Sequence, residues 1–166
     1  MFEKYGELTL QELNDTAKGL ADEKDLESLK VLANENGLDP DDATDYMEGM
    51  TETLATPMTA AMGRLSEEYR EAVSKSGSAW EVMPLKTIYE MAKTMITDTE
   101  FALHVMEKGK RMDKILKAMK SEAQKGGKAV CVCGTDKQLR SLIKTYYEGD
   151  DKKLKKEIKA LMEAGA

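Results

Sequence analysis

The chain has 166 residues, of which 41% are hydrophobic, 34% are charged and 5% are aromatic, and its net charge is −6. This composition is typical of a folded soluble protein with one domain or two small ones. No run in the sequence approaches the roughly 18 consecutive apolar residues that a membrane span needs. Residues 1–7 lack the apolar core of a signal peptide.

Helix-forming residues dominate and only three prolines interrupt them, which favours a mainly α fold built as small helical bundles. Thr9 and Glu12 form a capping-box pattern that starts the first helix. A second helix is predicted from about Asp22 to Asn36. Asp39 then caps a third helix, with Pro40 at its first position.

Thr56 and Pro57 repeat this signature and open a helix to about Lys75, and the small polar residues 74–78 are the best candidate linker. The second half continues with apolar residues at helical spacing. Further helices are predicted around residues 85–96, 98–107, 112–123, 135–146 and 150–162.

One short strand is predicted at 129–133, the run Ala-Val-Cys-Val-Cys. A lone strand leaves backbone groups unpaired, so it needs a partner such as an extended piece near 80–83, another subunit or a target protein. Together with the abundant methionines, this is compatible with a homodimer. A disulfide between Cys131 and Cys133 would be strained, and free thiols favour a cytoplasmic location.

Charge divides the chain into an acidic helical module, 1–75, and a basic helical module, 80–166, which contains the short strand. Residues 1–50 carry a net charge of −10, whereas residues 97–166 carry +5. This polarity describes the surface potential and not the fold.

A dense group of carboxylates surrounds the third predicted helix, and we call it the acidic face. A calcium loop is disfavoured there, because the positions that need an acid, a glycine and a glutamate hold Ala43, Thr44 and Met50. Such a cluster often serves solubility alone; alternatively, carboxylates on a rigid helix imitate nucleic-acid phosphates and occupy a basic groove on another protein. The acidic face comprises Asp39, Asp41, Asp42, Asp45 and Glu48.

A basic stripe follows in the second module, and we call it the basic face. Its lysines recur every three or four residues, so they share one side of a helix and could follow a phosphate backbone. A solvated helix surface is the alternative, since no aromatic residues interleave to stack on bases. The basic face comprises Lys108, Lys110, Arg111, Lys114, Lys117 and Lys120.

Catalytic and metal-binding patterns are absent from the sequence. The single histidine, His104, has no neighbouring catalytic or zinc partners, and with Cys131 and Cys133 it leaves a structural zinc one ligand short. Gly126-Gly127-Lys128 precedes a predicted strand, the reverse of a phosphate-binding loop. We therefore expect no cofactor, no metal and no enzyme activity.

Short motifs occur in order through the second half of the chain: Phe101-Ala102, Lys108-Gly109-Lys110, Met112–Leu116, Gly127–Val130, Asp136, Tyr146-Tyr147-Glu148 and Asp150-Asp151. With these motifs, residues 98–151 resemble the PcfK-like family of small proteins from conjugative plasmids and integrative elements, some of which look like anti-CRISPR proteins. The N-terminal half resembles accessory proteins of phages and mobile elements. One departure is Thr145, where the family usually has histidine before its tyrosine pair.

The resemblance implies a non-catalytic inhibitor that binds a CRISPR effector nuclease, with or without its guide RNA. From the family motif we carry over Tyr146, Tyr147, Asp150 and Asp151 as binding or folding residues; alternatively, Tyr146 packs in the core and the two acids cap the last helix. The rival function is a nucleic-acid-binding accessory protein of a conjugative or phage element, acting through the basic face. An enzyme with an unfamiliar carboxylate site is the third class.

Overall fold

A computed structural model describes residues 3–76, 79–125 and 134–164. These residues form nine α-helices and no strand, which confirms the mainly α prediction. The predicted strand at 129–133 lies outside the described residues. The helices are α1 (Leu10–Asp22), α2 (Leu26–Glu35), α3 (Pro40–Met47), α4 (Pro57–Lys75), α5 (Ala79–Met95), α6 (Thr99–Val105), α7 (Met112–Lys125), α8 (Asp136–Glu148) and α9 (Asp151–Ala164).

The helix starts follow local capping chemistry. Thr9 forms the predicted capping box with Glu12, and Asp39 accepts a hydrogen bond from the backbone N–H of Asp41 at 3.0 Å. The second helix starts later than predicted, because Lys24 adopts a φ of +57° and Asp25 is the residue that caps it.

The piece near 80–83 that was predicted to be extended is helical, so this expectation is wrong. It lies in α5, which also contains Pro84 and therefore lacks one backbone hydrogen bond. Leu85, Ile88 and Ala92 are buried at helical spacing, which stabilises the helix despite the proline. Of the predicted linker 74–78, residues 74 and 75 belong to α4, and 77–78 lie outside the described residues.

The chain forms two compact units, Met1–Glu67 with Ile96–Gly109 (unit 1), and Glu68–Met95 with Lys110–Ala166 (unit 2). They interleave along the sequence, whereas the modules predicted from charge divide the chain once, between residues 75 and 80. The difference arises because α6 returns to unit 1, where Phe101, Ala102 and Val105 are buried.

Unit 1 is organised around a buried arginine and a close backbone contact. Arg64 is 1% exposed, and its guanidinium donates to the carbonyl oxygens of Leu8 and Glu107 and pairs with the carboxylate of Glu7. Nearby in sequence, Gly63 lies so close to Asn36 that an added Cβ would be 2.2 Å from its carbonyl oxygen. The apolar core includes Leu13, Ala17, Leu29, Leu32, Ala33, Ala43, Ala60, Ala61 and Leu65.

Unit 2 packs α5, α7, α8 and α9 around apolar stripes that follow helical spacing. A residue of α4 stabilises the N-terminus of α7, because the carboxylate of buried Glu68 accepts from the backbone N–H of Met112 at 2.7 Å. The core of unit 2 includes Leu85, Ile88, Met112, Ile115, Met119, Leu142, Ile143, Tyr146, Tyr147, Leu154 and Ile158.

Candidate functional site

The two compact units carry net charges of opposite sign. Counted over its sequence, unit 1 holds 19 acidic and 6 basic residues, a net charge of −13. Unit 2 holds 12 acidic and 19 basic residues, a net charge of +7. Each unit therefore favours partners of a different sign, and the candidate sites are charged surfaces of the separate units.

The acidic face in unit 1 lies on and beside α3. Pro40 occupies the first helical position. Ala43 is buried, so the side of α3 opposite the carboxylates packs against unit 1. All five carboxylate residues of the acidic face are exposed. The structure therefore brings together the acids that the sequence predicted, on one short capped helix.

No cation among the described residues pairs with the acidic face. Residues 31–63 contain no lysine and no arginine. Among the residues that the structure describes, no ion pair reaches any of the five carboxylates. Such a surface retains its full negative potential and is suited to a strongly basic partner.

The basic face, by contrast, is not a single stripe, and the structure corrects this part of the prediction. Lys108, Lys110 and Arg111 precede α7, which starts at Met112. Lys108 also belongs to unit 1, where its ammonium lies 2.5 Å from Glu12 Oε1. This hydrogen bond is the main reason that the pKa of Glu12 falls from 4.5 to about 2.

Lys110 and Arg111 are held by partners inside unit 2. The ammonium of Lys110 donates to the carbonyl oxygens of Tyr146 at 2.9 Å and Gly149 at 2.7 Å, which satisfies the C-terminal end of α8. The guanidinium of Arg111 donates to Glu71 Oε2 at 2.8 Å. Both cations stabilise the fold and are poorly available to a partner.

The three lysines on α7 are also engaged. The ammonium of Lys117 lies 2.6 Å from Asp113 Oδ2, and neither Lys114 nor Lys120 is free of interactions. Four of the six cations of the basic face are therefore held by carboxylates or carbonyl oxygens, namely Lys108, Lys110, Arg111 and Lys117. The sequence predicts that these cations lie near α7, but partners such as Glu12 and Glu71 are distant in sequence and could not be predicted from it.

A groove of about 470 Å³ opens in unit 2 between α4, α5 and α7. Arg111 crosses it, joining Glu71 to Asp113, while Lys75 pairs with Glu71. These contacts, first with Lys75 and then with Arg111, lower the pKa of Glu71 from 4.5 to about 2. The groove is thus an ion-pair network, and its carboxylate lacks the raised pKa expected of a general acid. Charged residues that line it are Glu71, Lys75, Arg111, Asp113, Lys117 and Lys120.

The four residues carried over from the family motif lie in the core of unit 2 or at the start of α9. Tyr146 and Tyr147 are buried, and the hydroxyl of Tyr146 accepts from the backbone N–H of Arg111 at 2.7 Å. Burial raises the pKa of this hydroxyl well above its ordinary value of 10.0. Asp150 accepts from the N–H of Lys153 at 2.8 Å, and Asp151 begins α9. Buried Tyr146 and the capping contact of Asp150 fit the alternative of a core tyrosine and capping acids, whereas Asp151 is the first residue of the helix and makes no capping contact with any described residue.

Metal and catalytic candidates stay isolated where the structure describes them. His104 Nδ1 lies 2.6 Å from Oε1 of Glu107, which follows the C-terminal end of α6. Within 3–76, 79–125 and 134–164, no group of three or more potential metal ligands comes together. Cys131 and Cys133 lie outside the described residues.

One charged surface was missed by the sequence analysis, and we call it the lysine face. It consists of Lys152, Lys155, Lys156 and Lys159 on the exposed side of α9. Their spacing of three and four residues, opposite the apolar positions Leu154 and Ile158, was the signal that could have revealed it.

No family model, curated protein or solved structure matches this chain. The described helices also include none with the length and apolar character that crossing a membrane requires.

Proposed function

We propose that the protein is a non-catalytic inhibitor of an RNA-guided CRISPR effector nuclease, acting in the cytoplasm of a bacterial host cell. The observation that carries the proposal is the acidic face, five exposed carboxylates without ion-pair partners in the described part of the chain. The resemblance of residues 98–151 to the PcfK-like family, some of whose members look like anti-CRISPR proteins, supports the same conclusion.

The chemistry of the target fits this surface. Such nucleases hold their guide and target strands in a positively charged channel, and arginines read a short duplex motif. A helix that presents carboxylates in a fixed arrangement competes for these cations without any chemical step. Because α3 is capped and packed through Ala43, its backbone is folded before binding, which reduces the entropy lost on association.

The direct test is capture of a purified type II effector nuclease by this protein, with and without guide RNA, followed by a DNA-cleavage assay. We expect a stable complex and loss of cleavage at equimolar inhibitor. Dependence of binding on guide RNA would identify the blocked step. Absence of binding to effectors of types II, V and VI would overturn the proposal and favour the nucleic-acid-binding accessory protein.

A matched pair of variants tests the surface itself. Replacing Asp41, Asp42 and Asp45 by asparagine should weaken binding more than about 100-fold, since close charge pairs at an interface contribute roughly 1.5 kcal/mol or more each. The control is Asp15→Asn with Glu23→Gln and Glu27→Gln, which removes three exposed charges elsewhere in unit 1 and should leave affinity nearly unchanged. Equal effects of both variants would contradict a specific role for the acidic face.

A further inference from the structure

The lysine face of α9 lies on the side of the helix that points away from the core. Lys152, Lys155, Lys156 and Lys159 are all exposed, whereas Leu154 and Ile158 are buried against the rest of unit 2. Residues at these spacings share one face, and seven residues of helix rise about 10 Å. The ammonium groups therefore form a short row of positive charge.

The lysines of α9 are exposed and only weakly paired, whereas Lys108, Lys110 and Arg111 are held by short contacts. The ammonium groups of Lys152, Lys155 and Lys156 form no salt bridge with any described residue, although Lys152 helps to lower the pKa of Asp150 and Lys155 helps to lower that of Glu122. Lys159 is 65% exposed and lies 3.9 Å from Glu122 Oε2, a long contact with a carboxylate that already pairs with Lys125 at 2.6 Å. The row thus keeps most of its charge for an external anion.

We propose that the lysine face binds the phosphate backbone of duplex nucleic acid without reading its sequence. The row of about 10 Å is long enough for its ammonium groups to reach neighbouring phosphates of a duplex, whose charges recur about every 3.4 Å of axis on each strand. Lysine ammoniums act as point charges toward phosphate, which suits a contact that fixes position but carries no sequence information.

Two other anionic partners fit this face less well. A basic amphipathic helix binds a membrane surface through its apolar side, but here Leu154 and Ile158 are buried. Single strands are usually held by stacking on aromatic side chains, and α9 contains none. A duplex needs only the backbone contact that the lysines supply.

The net charge of the chain does not oppose this binding. Screening limits exposed charges to a range of about 10 Å at 0.1 M salt, so the local charge of the face governs the contact. The proposal is also independent of the proposed function, because it requires no nuclease.

The test measures fluorescence anisotropy of a short labelled DNA duplex with the full chain at several salt concentrations. We compare the wild type with Lys152→Gln/Lys155→Gln/Lys156→Gln and with Lys18→Gln/Lys24→Gln/Lys30→Gln, which removes the same charge from unit 1. The α9 variant should bind at least about tenfold more weakly, and the slope of log K against log salt should fall by roughly 2 to 3, since each phosphate contact contributes about 0.9. The control should differ from wild type by less than twofold, and circular dichroism should show equal helicity.

Several results would overturn the proposal. These are no duplex binding by the wild type at low salt, equal binding by the α9 variant, or a preference for single strands over duplex. A fourth is a change in sedimentation of the α9 variant without a change in duplex binding, which would assign the lysine face to contact with a second copy of the chain.

Discussion

Lys110 and Tyr146 are joined twice: the Lys110 ammonium donates to the Tyr146 carbonyl oxygen at 2.9 Å and lies 5.4 Å from the centroid of its ring. The first contact satisfies a carbonyl at the end of α8, and the second is a cation–π geometry. A residue that the sequence presents as one of a row of surface cations is therefore part of the framework of unit 2.

Replacing Lys110 by methionine should lower the free energy of unfolding by about 2 kcal/mol, because charged hydrogen bonds contribute roughly 1.5–3 kcal/mol each and their loss leaves two carbonyls to water. Chemical denaturation followed by circular dichroism measures the change. The control Lys156→Met, on an exposed lysine without an ion pair in the described residues, should stay within about 0.5 kcal/mol of wild type. Equal losses in the two variants would contradict the capping role.

The hydroxyl of Tyr146 provides a second prediction, which bears on the family motif. Tyr146→Phe keeps the ring but leaves the backbone N–H of Arg111 without its acceptor, so stability should fall by about 1–3 kcal/mol. Tyr46→Phe is the control, because the Tyr46 hydroxyl makes no hydrogen bond to any described residue. If Tyr146→Phe unfolds like wild type but loses partner binding, the tyrosine acts in recognition and not in folding.

Two glycines in helices should respond in opposite directions to alanine. In Gly63→Ala the new Cβ would meet the carbonyl oxygen of Asn36 at 2.2 Å, and backbone atoms on both sides give way only with a shift of the helix. We expect a loss of about 3 kcal/mol or more. Gly19 has nothing within 4 Å of the same position, so Gly19→Ala should stabilise α1 by about 0.5–1 kcal/mol. Thermal unfolding of the two variants should therefore shift in opposite directions.

Low pH should reduce the stability of unit 2 by protonating the carboxylate of Glu71. Its pKa falls from 4.5 to about 2 in the folded protein, so the folded state keeps the carboxylate ionised while the unfolded chain takes up a proton. The stabilisation is present above pH 4.5 and is lost as the pH falls toward 2. Glu71→Gln should be less stable at neutral pH and should show a flatter dependence of stability on pH across this window.

Urea unfolding at a series of pH values measures the effect of Glu71→Gln. The control Glu163→Gln alters an exposed carboxylate that has no ion pair in the described part of the chain, and it should reproduce the wild-type curve. An unchanged acid slope in Glu71→Gln would show that its pairs with Lys75 and Arg111 are too exposed to matter.

Local chemistry explains what could be predicted. Thr9, Asp39 and Asp98 mark helix starts because a side-chain oxygen accepts from a free N–H two or three residues ahead. Both partners are close in sequence, so the interaction can be predicted without the tertiary structure. The acidic face was predicted for the same reason, since five carboxylates around one capped helix, far in sequence from any cation, need no tertiary contact to stay exposed.

The sequence by itself therefore determined the helical class, most helix starts, the apolar stripes and the acidic face, because these depend on residues a few positions apart. Only the tertiary structure decided which cations are available. Ion pairs such as Lys108 with Glu12 and Arg111 with Glu71 join residues that lie 96 and 40 positions apart. These pairs hold cations of the basic face, whereas the lysine face of α9 stays exposed. Chain folding also returned α6 to unit 1, since burial of Phe101 and Val105 depends on surfaces that the local pattern does not specify.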